Sequence, residues 1–210
     1  MVFMEDSERA AQLALRAGLE AGLHLNLSER FSADGIPARI REPHEAVRRF
    51  LTAGKYALLV YNPFLNAKLR LVFDAQYAEF LRLYGRPPSH LDGHQHMHLA
   101  TNMLIQRILP AGAKVRRSFS FLPGEKSAVN RWYRAFVDRR LARRHRLTDR
   151  FFSLAQHLTR DRLERIVVLA GKENVELMAH PALPREFEFM MSGSYGEALS
   201  RVRLGGYDVL

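Results

Sequence analysis

Alternation and helical spacing of apolar positions divide this chain into alternating strands and helices. The spacing predicts a helix over Glu5–Ala17, with Asp6 or Ser7 as its cap, one face of Ala10, Leu13, Ala14 and Ala17, and Gly18 as its stop. Gly22–Leu27 alternates apolar and polar residues, as a half-buried strand does, and sets His24 and Asn26 on one face. A helix is expected over Arg41–Ala53 after Pro43, and a longer amphipathic one over Leu65–Tyr84, ended by Gly85. Between them, Tyr56–Tyr61 is an apolar run too short to type. Pro87-Pro88 leads into a strand holding His90–His98. A helix over Asn102–Leu109 and a strand around Lys114–Phe121 follow, then a turn at Pro123-Gly124-Glu125. Arg160–Ala170 reads as a helix, and Val175–Ala179 as a buried strand that delivers His180-Pro181 at its end.

Strands alternating with helices argue for an α/β architecture built on a parallel sheet or barrel, in which chemistry sits at the C-terminal ends of strands. No repeat or linker divides the sequence, so 1–210 reads as one domain.

Nine residues carry most of the candidate chemistry. His90-Leu-Asp-Gly-His-Gln-His-Met-His98 contains four of the nine histidines. On an extended strand, Asp92, His94, His96 and His98 would share one face, and imidazole with carboxylate is the ligand set borderline divalent metals favour. A polar loop that happens to be rich in histidine is the plain alternative. His24, in a strand running out into polar Asn26, Ser28 and Glu29, is a candidate for a pocket rim, and His180 ends a third strand. Three histidine sites far apart in sequence thus fall near equivalent strand ends.

Composition narrows the chemistry. There is no cysteine, which excludes disulfides, thiolate nucleophiles and thiolate metal sites. No apolar run is long enough to cross a bilayer and there is no signal-peptide pattern, so the sequence reads as a cytoplasmic protein. The net charge of +10 is concentrated in Asn130–Asp149, where Trp132, Phe136, Leu141 and Leu147 interleave with arginines at helical spacing. This basic amphipathic helix is compatible with a solvated face, with anionic membrane contact through Arg139, Arg140, Arg143 and Arg144, or with nucleic acid. No nucleic-acid motif accompanies it, so no nucleic-acid partner is assigned.

The segments Gly22–Leu27, Gly85–His98 and Glu176–Pro181 together resemble the YdjC-like carbohydrate deacetylases, metal-dependent enzymes that remove acetyl groups from N-acetylated sugars. Ser120–Ser127 is most similar to a branch associated with hopanoid lipid biosynthesis. The resemblance implies a distorted (β/α) barrel, one divalent ion (Mg²⁺ or Zn²⁺) held by His24 and His94, and His180 as general acid or substrate contact. It leaves Asp92, His96 and His98 as supporting or substrate groups, and an N-acetylated sugar or glycolipid headgroup as substrate. The family's third ligand is an aspartate of an N-terminal Asp-Asp segment. This sequence contains no Asp-Asp pair, and Met1–Ser7 resembles a point well inside the family's chain. Glu5 and Asp6 begin a helix and do not take that role. The expectation is therefore a barrel lacking its first strand. Either the start lies upstream, or the chain is short and catalytically impaired, a binder of sugars or lipid headgroups; the reading frame before Met1 separates the two. Metal-dependent phosphoester hydrolysis is a further class, but it wants several carboxylates where these motifs supply only Asp92.

Overall fold

The computed structural model describes every residue except Lys55 and Pro123, so Pro123 of the expected turn lies outside the described residues. The chain divides into two compact units, 1–115 and 116–210.

The first unit contains α1 (Ser7–Arg16), β1 (Leu23–Leu25), α2 (Ala38–Leu51), α3 (Asn66–Tyr84), β2 (Leu91–Gly93) and α4 (Thr101–Gln106). Helix α3 follows its apolar pattern closely. Leu69, Val72, Phe73, Gln76 and Phe80 lie on the buried face, and Gly85, at φ 65°, closes the last turn in the left-handed conformation that a Cβ disfavours. Helix α2 begins at Ala38, earlier than expected, and carries Pro43 inside it; it packs His44, Val47 and Leu51 against α3. In α1 the expected face is wrong: Ser7 and Ala11 are buried while Ala10 and Leu13 are exposed. Its alanines give too little apolar contrast to mark one side.

Strands β1 and β2 pair in parallel, with His24 opposite Asp92 and Leu25 opposite Gly93, and Leu91 bridges to Val115. One buried side chain continues β1 where no strand does. Gln76 accepts from the Asn26 amide (2.8 Å) and donates to the Asn26 carbonyl (2.9 Å), so a side-chain amide meets both backbone groups of the residue after the strand.

The second unit contains α5 (Ala128–Ala142), β3 (Arg150–Ser153), α6 (Arg160–Ala170), β4 (Val175–Met178), α7 (Pro184–Met190) and α8 (Gly193–Leu199). β3 pairs in parallel with β4, Phe151 facing Glu176 and Phe152 facing Leu177. Phe151 and Phe152 are buried, and Leu163, Val167 and Ala198 form a cluster joined by Leu177, Phe189 and Tyr195. The expected strand over Lys114–Phe121 shrinks to bridge residues at Lys114 and Val115. Beyond them, Asp138 of α5 takes the Ser118 amide (2.8 Å) that a neighbouring strand would have used. The α/β class holds, with short parallel strands in each unit; the described strands close no barrel. No helix among the described residues is long and apolar enough to cross a membrane.

Candidate active site

The histidine-rich segment is not the extended strand its alternation predicts. β2 stops at Gly93, and His94–Leu99 turns in a 3₁₀ conformation interrupted by Gln95 (φ 51°) and His96 (φ 58°). The chain folds back so tightly that a Cβ on Gly93 would stand 2.9 Å from the His98 amide nitrogen and 3.0 Å from its ring. The Asp-Gly-His run is therefore a strand end followed by a sharp corner. Asp92, His94, His96 and His98 do not share one face. His98 is wholly buried beneath the corner, with the half-buried His96 ring 6.2 Å from it.

What the corner does bring together is His24, Asp92 and His94. The parallel register sets His24 beside Asp92, and His24 Nδ1 lies 2.9 Å from Asp92 Oδ2. Asp92 is buried and ionic partners suit the protonated nitrogen, so the His24 proton belongs on Nδ1 and Nε2 presents a lone pair. That Nε2 lies 3.4 Å from His94 Nδ1, the rings meeting edge to face. On the far side of His94, Nε2 is 3.6 Å from Glu29 Oε1, which favours a proton there and leaves Nδ1 unprotonated. Burial, reinforced by His24 and opposed by Glu29, lowers the His94 pKa, so the ring is neutral at neutral pH.

Two imidazoles, each backed by a carboxylate on its outer nitrogen, thus aim lone pairs at each other. Such a pair is repulsive unless a proton or a cation lies between. Two nitrogens bound tetrahedrally at about 2.0–2.1 Å stand about 3.4 Å apart, the separation observed. Carboxylate support of both rings is also what metal-ligating histidines receive. The donor set therefore fits a divalent ion. It supplies two donors, since among the described residues no group of three His, Asp or Glu side chains is arranged to hold one.

Glu29 owes its place to Asn26, whose Oδ1 accepts from the backbone amides of Ser28 (3.3 Å) and Glu29 (2.9 Å). Asn26 is in turn fixed by Gln76 and by His44, whose Nε2 donates to the Asn26 carbonyl at 3.2 Å. His44 is buried and stacked on Phe31, and burial lowers its pKa to about 4. Neither Gln76 nor His44 is distinguishable by residue type alone from any other polar residue on a helix. The signal was their position: a polar residue in the middle of an otherwise apolar helical face.

His180 belongs to the second unit. It follows β4 with its side chain about half exposed; its amide donates to Glu186 Oε2 (2.8 Å) and its Nδ1 lies 3.3 Å from Glu186 Oε1. Glu186 is buried, two residues into a helix that Pro184 starts, a common place for a carboxylate that reaches back to an amide. It holds the His180 ring with Nε2 outward, and sequence reasoning did not single it out.

The chain is 32% identical to a carbohydrate deacetylase of Mus musculus, over 85% of this chain and 66% of that one. It is 31% identical to a carbohydrate deacetylase of Homo sapiens, over 85% and 63%. A chitooligosaccharide deacetylase of Serratia marcescens is 28% identical, over 84% and 66%. The chain thus spans just under two thirds of the length of these curated relatives. The profile of the family described as YdjC-like protein matches residues 1–209, and the chain belongs to that family.

Proposed function

We propose that this chain carries the site of a metal-dependent hydrolase that removes the acetyl group from an N-acetylated sugar or glycolipid headgroup. The observation that carries the reading is the converging pair His24 Nε2 and His94 Nδ1, each ring backed by a carboxylate, in a family whose relatives are named carbohydrate and chitooligosaccharide deacetylases. His24 and His94 would hold the ion, and imidazole donors favour Zn²⁺ over Mg²⁺. When bound, a divalent ion polarises an amide carbonyl and lowers the pKa of water beside it. Asp92 fixes the His24 tautomer and ring angle; Glu29 does the same for His94. The buried His98 supports the corner that carries His94, and the half-buried His96 stands at its edge as a substrate contact. The resemblance brings in His180 as the acid that protonates the departing amine, and its Nε2, outward and backed by Glu186, suits a proton donor. The family's distorted (β/α) barrel is part of the same proposal, supported by parallel strands that alternate with helices. The glycolipid alternative rests on the hopanoid-branch resemblance of Ser120–Ser127.

The test is acetate release from diacetylchitobiose with added Zn²⁺, alongside calorimetric Zn²⁺ titration. Activity and Zn²⁺ binding both lost in His94→Ala support the reading. Zn²⁺ and sugar binding without acetate release would replace it with the binding protein.

A further inference from the structure

The apolar positions interleaved with arginines in the basic helix separate in α5: Leu141 turns inward, whereas Trp132 and Phe136 turn outward. Its inner face carries Val137, Asp138 and Leu141, whereas Val129, Trp132 and Phe136 are 76%, 69% and 53% exposed and Tyr133 lies beside them. These residues follow an i, i+3, i+4, i+7 stripe, and the same stripe continues through Arg139, Arg140 and Arg143, all exposed. One outward face is thus apolar for about 10 Å and then cationic for about 6 Å, at 1.5 Å per residue. The only carboxylate between Ala128 and Arg146 is Asp138, which is buried and bonded to Arg117. No ion pair is formed by Arg139, Arg140 or Arg143 among the described residues. Arg144, by contrast, is half-buried and off the stripe.

We infer that this face of α5 docks the protein onto the surface of an anionic lipid bilayer. The arginines meet lipid phosphates, and Trp132, Phe136 and Val129 enter the boundary between headgroups and acyl chains, the arrangement that holds interfacial amphipathic helices. Charge decides between occupants. A second copy brings the same three arginines and a net charge of +10 with no carboxylate on the stripe to meet them. A nucleic acid satisfies the arginines but leaves Val129 and Phe136 in water. Only an anionic surface with an apolar layer beneath it satisfies both halves. The inference is independent of the deacetylase reading.

Trp132 is the only tryptophan of the chain, so its emission reports the docking directly. The experiment adds vesicles of phosphatidylcholine, with or without a third of phosphatidylglycerol, to the full chain. The expected result is a blue shift with the anionic vesicles, reversed by high salt and absent with phosphatidylcholine alone. Replacing Arg139, Arg140 and Arg143 by Gln weakens partitioning about fivefold each, on the order of a hundredfold together. Phe136→Ser lowers it with the charge intact. No shift on anionic vesicles overturns the inference, as does a shift of equal size on neutral ones. A vesicle-free shift that grows with protein concentration assigns the face to a second copy, and a shift with an oligonucleotide but not with vesicles assigns it to a polyanion; either result overturns it.

Discussion

Replacing Gln76 by Leu tests the link between the helical core and the site. The Gln76 amide is fully buried and makes two hydrogen bonds, accepting from the Asn26 N–H at 2.8 Å and donating to the Asn26 carbonyl at 2.9 Å. Leucine fills similar space and makes neither. The two backbone groups then fare differently. The carbonyl keeps His44 Nε2 at 3.2 Å, so its loss is one neutral hydrogen bond, about 1 kcal/mol. The N–H is left in the core with no acceptor, which costs about 2 kcal/mol. The sum, roughly 3 kcal/mol, corresponds to a fall in Tm of about 6–12 °C for a chain of this size. Urea denaturation followed by circular dichroism should show a lower midpoint with an unchanged slope. A second effect follows from the Asn26 turn: its Oδ1 holds the Glu29 amide, so the variant also loosens Glu29 beside His94 and weakens Zn²⁺ binding. A variant within about 0.5 kcal/mol of the parent, the scatter of ordinary surface changes, would refute the claim that Gln76 replaces a strand partner.

Asp92→Asn keeps the size of the side chain but lets an NH₂ face His24 Nδ1, which disfavours the tautomer that aims Nε2 at His94; Zn²⁺ affinity by calorimetry should fall about 10- to 100-fold, with the melting temperature little changed. His44 makes stability depend on pH. Its folded pKa of about 4 lies below the unfolded value of 6.5, so between these limits the unfolded chain binds the extra proton; stability is complete above pH 6.5 and is lost as pH falls toward 4, by up to about 3 kcal/mol. His44→Gln, which retains a donor for the Asn26 carbonyl, should flatten this dependence in denaturation series run from pH 7 to pH 4.

Where local pattern and packing agree, the elements were readable from the chain. Leu65–Tyr84 and Arg160–Ala170 became α3 and α6 nearly to the residue, because their apolar spacing is regular and Gly85 marks a stop. β3 was missed because Arg150-Phe-Phe-Ser153 follows a run of arginines that reads as one continuous helix, and only its pairing with β4 makes it a strand. Pro184–Met190 and Gly193–Leu199 are too short for a periodicity to declare itself. At the site, the structure brings His24, Asp92 and His94 together, but their relation is not the one alternation suggests. Asp92 and His24 are cross-strand neighbours, and His94 stands beyond a corner rather than farther along the same face.

The sequence by itself determined the α/β alternation, the absence of thiol chemistry, the family, and the residue types able to bind a divalent ion. These properties reside in composition, in spacing and in short motifs, which are local. Only the tertiary structure decided which side chains meet. Parallel pairing set Asp92 against His24, a corner that only Gly93 permits turned His94 toward them, and a buried amide on α3 held the turn that carries Glu29. It also turned Trp132 and Phe136 outward, because Asp138 is drawn inward by Arg117 and Ser118. Apart from the corner itself, where Gly93 packs on nearby His98, each outcome depends on partners 20 or more residues away in the chain, and no local pattern encodes those partners.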